Sequence, residues 1–372
     1  MKPTGTPAWR LTADCIWSSF RASGKRHLIL TGDRGSGKTT LLRALRARLP
    51  GPVPGLTSCA EPGRAVWLQE DATGRRVPIG RFDPALPGPE NRMRPLPEGF
   101  LSLGVPALAR CAAAPGGWAA VDEVGYLETA CPAYCAALLA LMDARRLLAA
   151  VRRQELPLLQ GLCRRPDVFL VDLDAPFGAL GCVVMASGLG RRFGSNKLLA
   201  DFGGEPLFTR ALEATGGIFA RRVVVTRHPE IAAHCARRGI RAVLHGEPER
   251  RDTIRLGLTG MDGLAGCLFC PADQPLLSRQ TVAALALAAV NAPDRPWRAA
   301  WQGQGGAPVL FPARDFAALR SLGPGQGGSA VLRAGPAAPG QVEAGGPDEL
   351  RDADRPEELD RLREKLSKNR EI

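Results

Sequence analysis

Two stretches of this chain join glycines to cations in patterns suited to holding phosphate. The first, GDRGSGKT at positions 32–39, fits G-x-x-x-x-G-K-[ST]. In such a loop the glycines let backbone N–H groups converge on phosphate oxygens at a helix N-terminus. Gly32, Gly35, Gly37, Lys38, Thr39 and Thr40 are the candidate nucleotide-binding residues, with Lys38 reaching the β and γ phosphates and Thr39 able to hold Mg²⁺. A partner site must supply acidity. GGWAAVDEVGYLE, 116–128, ends an apolar strand on Asp122 and Glu123. Asp122 is placed to bind Mg²⁺ through water, and Glu123 to orient the attacking water.

The second stretch, VVMASGLGRRFGSNKLL at 183–199, obeys a different spacing. Gly188, Gly190 and Gly194 are two and four residues apart, which is not the G-x-G-x-x-G of a dinucleotide fold. A long loop carrying Arg192 and Lys197 can wrap a triphosphate and leave its α phosphate open to attack. That favours nucleotidyl transfer over γ-phosphate hydrolysis. Pyrophosphate departure builds negative charge and calls for a metal ligand. AGCLFCPADQPLLS supplies Asp273 just beyond an apolar strand, and ELRDADRPEEL (349–359) adds Asp352 and Asp354.

The elements that must carry these residues follow from periodicity. Leu28 to Thr31 predicts a short buried strand, and Leu41, Leu42, Ala44 and Leu45 a helix after the first loop. Past the Pro and Gly punctuation of DAPFGALG (174–181), GCVVMASG predicts a new strand, LGRRFGSNK a loop and EPLFTRALEAT a helix. The proline-rich PALPGPENRMRPLPEG (84–99) predicts a loop and a candidate lid, because proline disrupts helices and central strands. Leu359, Leu362 and Leu366 predict a terminal capping helix. The fold class is therefore α/β, in two domains, 1–174 and 175–372.

Composition narrows the function further. With 372 residues the chain exceeds one typical core. Its longest apolar runs, such as VAALALAAV at 282–290, fall short of the roughly 20 residues that span a bilayer. No membrane partner is expected, and MKPTGTPAWR lacks a signal peptide's apolar core, so a cytoplasmic location is predicted. The formal charge of +12 permits nucleic acid, but the basic residues are dispersed, only 5% of residues are aromatic, and no recognition motif accompanies them. No nucleic-acid partner is predicted. The ten cysteines lack zinc-ribbon spacing, and the pairs Cys267/Cys270 and Cys131/Cys135 are read as core packing.

The first loop, VDEVGYLE and AAVRRQELPLLQGLCRRPDVFLVDLD together resemble the cancer-related nucleoside-triphosphatase family over about residues 25–174. The resemblance implies a three-layer domain hydrolysing an NTP, ATP or GTP, with Gly125 and Glu128 matching its later glycine and glutamate. Glu61 and Arg64 in TSCAEPGRAVWL only loosely echo the family's glutamate-and-arginine segment, and Arg152 and Arg153 are candidates for reaching the γ phosphate.

MASGLGRRFGSNK is similar to the L-A-A-G-x-x-x-R-M-G-x-x-K signature of the molybdenum cofactor nucleotidyltransferases. PADQPLL, RRDTIRLGL (with Thr253 for serine), GAPVLFP and RDADRPEEL match further motifs over about 181–366. This resemblance implies a Rossmann-like, nucleotide-sugar-transferase-like domain. Its glycine loop, including Ala186, Ser187, Gly188, Gly190 and Gly194, would bind the triphosphate. Arg192 and Lys197 would neutralise the α phosphate and the leaving pyrophosphate, while Asp273 and Asp354 would hold Mg²⁺. Ser187–Gly188 and the D-Q-P form favour CTP over GTP, although serine departs from both family patterns. The implied acceptor is molybdopterin, with a molybdenum hydroxylase apoenzyme as a candidate partner. A sugar or alcohol phosphate acceptor, or a nucleotide-gated cofactor carrier, are the alternative readings.

Overall fold

The computed structural model describes residues 11–87, 92–188, 190 and 193–370. The chain divides into two compact units, residues 24–176 and a second made of 1–23 with 177–372. This corrects the expected boundary at 174/175, because the N-terminal segment groups with the C-terminal unit. Helix α1 (Ala13–Ser23) buries Ile16 and Phe20. Ser19 Oγ donates to the Ala284 carbonyl at 2.9 Å, in a helix of the C-terminal unit. Each large apolar side chain buried this way contributes on the order of 2 kcal/mol. No local signal before residue 24 distinguishes an amphipathic helix bound for the following domain from one bound for a later domain.

The 24–176 unit begins with β1 (His27–Gly32), whose six residues are all buried, and α2 (Lys38–Arg46). There follow β2 (Gly55–Glu61), β3 (Ala65–Glu70), β4 (Arg76–Phe82) and β5 (Met93–Pro95). A single turn α3 (Pro97–Gly99) runs through the wide turn Phe100–Gly104 into α4 (Val105–Ala113). Next come β6 (Trp118–Val124), α5 (Tyr126–Thr129), α6 (Pro132–Ala144), β7 (Arg146–Arg152), α7 (Pro157–Arg164) and β8 (Val168–Asp172). The sheet order is β5-β4-β3-β2-β6-β7-β1-β8. Strands β2, β6, β7, β1 and β8 pair in parallel, while β2 to β5 form an antiparallel extension. Near-continuous apolar β1 and β7 suit a parallel sheet covered on both faces.

The proline-rich stretch is not simply a loop. Positions 88–91 lie outside the described residues, but Met93–Pro95 pairs with β4 at the sheet edge, where a proline without an N–H is tolerated.

His27 is fully buried, with Nδ1 accepting the Leu147 N–H at 3.1 Å. Burial lowers its pKa from 6.5 to about 4, against the opposing pull of Asp167. The unfolded chain therefore binds more protons in this window, and stability is lost as pH falls from 6.5 toward 4. In urea melts, the stability of the wild type relative to His27→Gln is expected to drop by about 2 kcal/mol between pH 7 and pH 5. A difference independent of pH would refute this.

The C-terminal unit runs β9 (Leu180–Ala186), α8 (Thr209–Thr215), β10 (Arg221–Thr226), α9 (Pro229–Arg237), β11 (Ala242–Leu244), α10 (Arg250–Gly257), β12 (Gly266–Pro271) and α11 (Arg279–Asn291). It continues through β13 (Trp297–Trp301), β14 (Gln304–Pro312), α12 (Phe316–Arg320), α13 (Gly328–Ala334), β15 (Gly340–Glu343) and α14 (Pro356–Arg370). Its sheet order is β11-β10-β9-β12-β14-β13-β15, and β14 runs antiparallel to both neighbours. Strand β9 lies beside β10 and β12, so its C-terminal end opens between two parallel neighbours, where α/β sheets place ligands. The apolar run at 282–290 forms most of α11, whose inner residues are buried. Cys131, Cys267 and Cys270 are buried and Cys135 is partly so, as core packing requires. Among the described residues no helix is long and apolar enough to cross a membrane.

Candidate functional site

In the 24–176 unit, the first loop links the end of β1 to the start of α2. Gly32, Gly35 and Gly37 all have positive φ (145°, 80° and 94°), so their lack of a side chain is what permits the turn. A Cβ on Gly32 would also stand 2.9 Å from Ser36 Oγ and 3.0 Å from Asp174 Oδ2. Lys38 folds back over the loop, donating to the Gly32 and Asp33 carbonyls at 2.8 Å each. Burial and the nearby Arg152 lower its pKa, with Asp174, Asp33 and Asp122 opposing. Thr39 Oγ1 donates to Asp122 Oδ1 at 3.0 Å. Burial raises the Asp122 pKa, and the threonine bond partly offsets this. The pair offers a hydroxyl and a carboxylate to a hard cation whose remaining ligands come from phosphate and water, which fits Mg²⁺. Thr40 is exposed in the first turn of α2.

Glu123 occupies a β-bulge: the β6–β7 register shifts between Asp122 and Val124, and Glu123 has φ 156°. Bulges commonly re-aim a side chain beside a site. Here its carboxylate pairs with the Arg152 guanidinium. The structure separates the two adjacent arginines. Arg153 instead pairs with Asp172 and Asp174. Glu61 accepts from Arg64 at 3.1 Å and from Trp67 Nε1 at 3.2 Å, a local arrangement of the β2–β3 hairpin.

Two further carboxylates take their roles from the tertiary structure, and one of them had no sequence signal. Asp174 Oδ2 accepts the Asp33 N–H at 2.7 Å and so braces the loop from 141 residues away. Glu128 is buried, accepting the Gly125 N–H at 2.7 Å and the Ser58 hydroxyl at 3.4 Å, and burial pushes its pKa up to about 7. The signal for Glu128 was its match to the nucleoside-triphosphatase family's later glutamate; no motif signals Asp174.

In the C-terminal unit, a cleft of about 1020 Å³ lies between the second glycine loop and the late motifs. Lys197 is buried there and donates to Asp273 Oδ2 at 2.8 Å and Asp354 Oδ1 at 2.6 Å. Burial alone would lower its pKa, but the two carboxylates outweigh it and raise the value. Ala353 N–H donates to the Asp273 carbonyl at 2.9 Å, which holds the 349–355 segment at the end of β12. Asp352 accepts from Gln274 Nε2 at 3.1 Å, and its pKa is raised first by burial and then by Asp273. Asp273 and Asp354 thus converge on a single cationic point. Among the described residues no group of three or more ligands forms a self-sufficient metal cage. Two convergent carboxylates suit a cation such as Mg²⁺ that draws its other ligands from a nucleotide's phosphates.

The glycine loop closes this cleft from the other side. Gly190 and Gly194 have φ 58° and 77°, and a Cβ on Gly190 would sit 2.5 Å from the Ser195 carbonyl. Gly188 lines the cleft in open space. Ala186 ends β9, its carbonyl accepting from Thr226 Oγ1 at 2.9 Å. Arg192 lies outside the described residues. Ser187 Oγ donates to the Val225 carbonyl at 3.1 Å and meets His245 Nε2 at 2.8 Å. Arg227 and Arg298 in the cleft, and His245 beside Ser187, carried no sequence signal, since each comes from a separate element. Thr253 is buried on α10 and also lines the cleft.

Residues 182–340 match the family model described as a MobA-like NTP transferase domain. A stretch of 71 residues is 42% identical to ribose 1,5-bisphosphate phosphokinase PhnN of Achromobacter xylosoxidans (strain A8), covering 17% of this chain and 37% of that protein. The chain thus spans little more than a third of that relative's length. Among solved structures, the homologue of Mycobacterium tuberculosis Rv0371c from Mycobacterium sp. strain JC1 is 21% identical with a TM-score of 0.44, covering 51% of this chain and 97% of that one. THEP1 from Aquifex aeolicus is 20% identical with a TM-score of 0.35, covering 40% and 89%. With the glycine loop, the strand-end aspartates and the family match in agreement, the C-terminal unit carries a MobA-like NTP transferase domain, joined in one chain to a phosphate-loop unit that resembles PhnN.

Proposed function

We propose that the chain is a Mg²⁺-dependent nucleotidyltransferase that passes CMP from CTP to the phosphate of molybdopterin and releases pyrophosphate. Its phosphate-loop unit would split the γ phosphate of ATP or GTP. The observation that carries the transferase reading is the meeting of Lys197, Asp273 and Asp354 beneath the glycine loop. In this reading Asp273 and Asp354 hold Mg²⁺, which supplies charge to the α phosphate and the leaving pyrophosphate. Lys197 turns from the carboxylates onto a phosphate oxygen as the nucleotide enters. Arg250 and Arg298, in the same cleft, offer positive charge to the acceptor phosphate. The acceptor oxygen attacks in line, so the protein's task is positioning and charge stabilisation. The Ser187–His245 pair lies at the start of the glycine loop, where the Ser187–Gly188 form that favours CTP also falls. The reaction is assigned to the cytoplasm, with a molybdenum hydroxylase apoenzyme as recipient.

The test is pyrophosphate release by the full-length chain with Mg²⁺ and molybdenum cofactor. The whole chain is needed because α1 belongs to the transferase unit. Release with CTP at least tenfold faster than with GTP is expected. Turnover only with a sugar phosphate acceptor would sink the molybdopterin assignment, and preference for GTP would sink the cytidylyl one.

A further inference from the structure

The glycine loop of the C-terminal unit leaves the sheet after Ala186, where the β9–β10 ladder ends in the pair Ala186–Thr226 and the β10–β11 ladder in Thr226–Leu244. Side chains take over where the ladders stop. Thr226 Oγ1 donates to the Ala186 carbonyl at 2.9 Å, His245 Nε2 meets Ser187 Oγ at 2.8 Å, and His228 Nε2 donates to the Gly188 carbonyl at 3.0 Å. Both histidines are themselves fixed by Thr226, whose carbonyl accepts the His245 N–H at 3.1 Å and whose hydroxyl oxygen accepts the His228 N–H at 3.1 Å. We propose that His228 and His245 are positioning residues for nucleotide binding. They hold residues 186–188, the entry of the glycine loop, in the shape that receives the nucleotide, and the Ser187 hydroxyl is committed to this tie rather than to the base. The proposal rests on the reading of this cleft as a nucleotide site.

The commitment of the hydroxyl follows from counting protons. Ser187 Oγ has a single proton and lies 3.1 Å from the Val225 carbonyl, which can only accept. Given to Val225, that proton leaves Ser187 free to accept from an Nε2–H of His245, and two hydrogen bonds form. Given to His245 instead, it makes one bond and forces the ring proton onto Nδ1, which is buried with no hydrogen-bond partner among the described residues. A buried N–H without an acceptor is costly, so the first arrangement holds. Burial, then Arg227, lowers the His245 pKa against the pull of Asp252 and Glu247, so the ring keeps that single N–H.

The loop depends on such outside ties because it has little to anchor itself. A Cβ on Gly188 or Gly194 would meet nothing within 4 Å, and Gly190 and Gly194 adopt positive φ. Backbone N–H groups that are already in place bind an anion without the cost of ordering them afterwards. Three successive residues held from the ends of the neighbouring strands provide that order, and no nucleotide need touch either histidine. His245 does not line the cleft, as expected of a group that acts through the loop.

The experiment measures CTP and GTP affinity by calorimetry with Mg²⁺, in the full-length chain carrying Lys38→Ala so that the phosphate loop does not contribute. Ser187→Ala and His245→Phe are each expected to weaken CTP binding about tenfold, with the ratio of CTP to GTP affinity unchanged within about twofold. Because both cut one tie, the double variant is expected to lose about tenfold as well; multiplied losses of about a hundredfold would overturn the tie. His245→Gln, which restores a donor, is expected to bind CTP within about threefold of the parent chain. A shift of the CTP to GTP ratio by about fivefold or more in Ser187→Ala alone would return the serine to the base. His228 is partly exposed, so His228→Ala carries the test if a His245 variant does not fold. About fivefold weaker CTP binding is expected there, and unchanged affinity would remove the hold on Gly188. If the Lys38→Ala chain binds neither nucleotide, the cleft is not a nucleotide site and this proposal falls with that reading. If it binds them and the serine and histidine variants bind equally well, this proposal alone falls.

Discussion

Asp273→Ala is expected to lower nucleotidyl transfer about 10³-fold or more while nucleotide hydrolysis by the same chain stays within about twofold. The first half follows from the position of its carboxylate, 2.8 Å from the buried Lys197 ammonium that Asp354 also contacts. Removal takes away one of two proposed metal ligands and leaves Lys197 with half its counter-charge. A thousandfold loss corresponds to about 4 kcal/mol of transition-state stabilisation, the size typical when a charge-stabilising group is removed from an active site. Asp273→Asn is the informative companion, since it keeps the volume and the backbone bond to Ala353 while deleting the charge. If the charge matters, asparagine fails as alanine does; recovery of transfer in Asp273→Asn would assign the residue a packing role. The second half follows because the residues of the phosphate-loop site all belong to the 24–176 unit. Pyrophosphate and inorganic phosphate, assayed separately, measure the two halves.

The reciprocal variant, Lys38→Ala, is expected to lower γ-phosphate release about 10³-fold and leave transfer within about twofold. Lys38 holds its amine over the loop through two carbonyl bonds of 2.8 Å, poised where the β and γ phosphates would lie. Its charge is stabilising chiefly in the transition state, so the loss should appear in kcat more than in KM. Lys38→Arg should not rescue, because a planar fork cannot replace a compact ammonium inside a loop built of three positive-φ glycines. If both activities fell together in either variant, the two sites would be coupled and the independent-site reading would be wrong.

Much of both sites was readable from local sequence. The strand before the first loop, the loop itself and the helix after it appear where the apolar periodicity and glycine spacing put them. The acidic pair after Val121 falls at the end of β6, and Asp273 falls just beyond β12. These features depend on residues within a few positions of one another, and their conformation is set by backbone sterics and burial. The proline-rich stretch was harder, because edge pairing tolerates prolines that would be excluded from a central strand. The adjacent arginines were harder still. Arg152 and Arg153 have one local context but opposite partners, since successive residues at a strand end point to opposite sides.

By itself, then, the sequence determined that this protein has two α/β units, each with a glycine loop at a strand end. Only the tertiary structure decided what meets at those loops. Lys197 finds Asp273 across 76 residues and Asp354 across 157, and Asp174 braces the phosphate loop across 141. It also decided that α1 joins the C-terminal unit and that His228 and His245 meet the entry of the second glycine loop. The physical reason is common to all four. Local conformation follows from sterics and periodicity within one element, whereas these meetings depend on sheet order and strand register, which are settled by burial of the whole core.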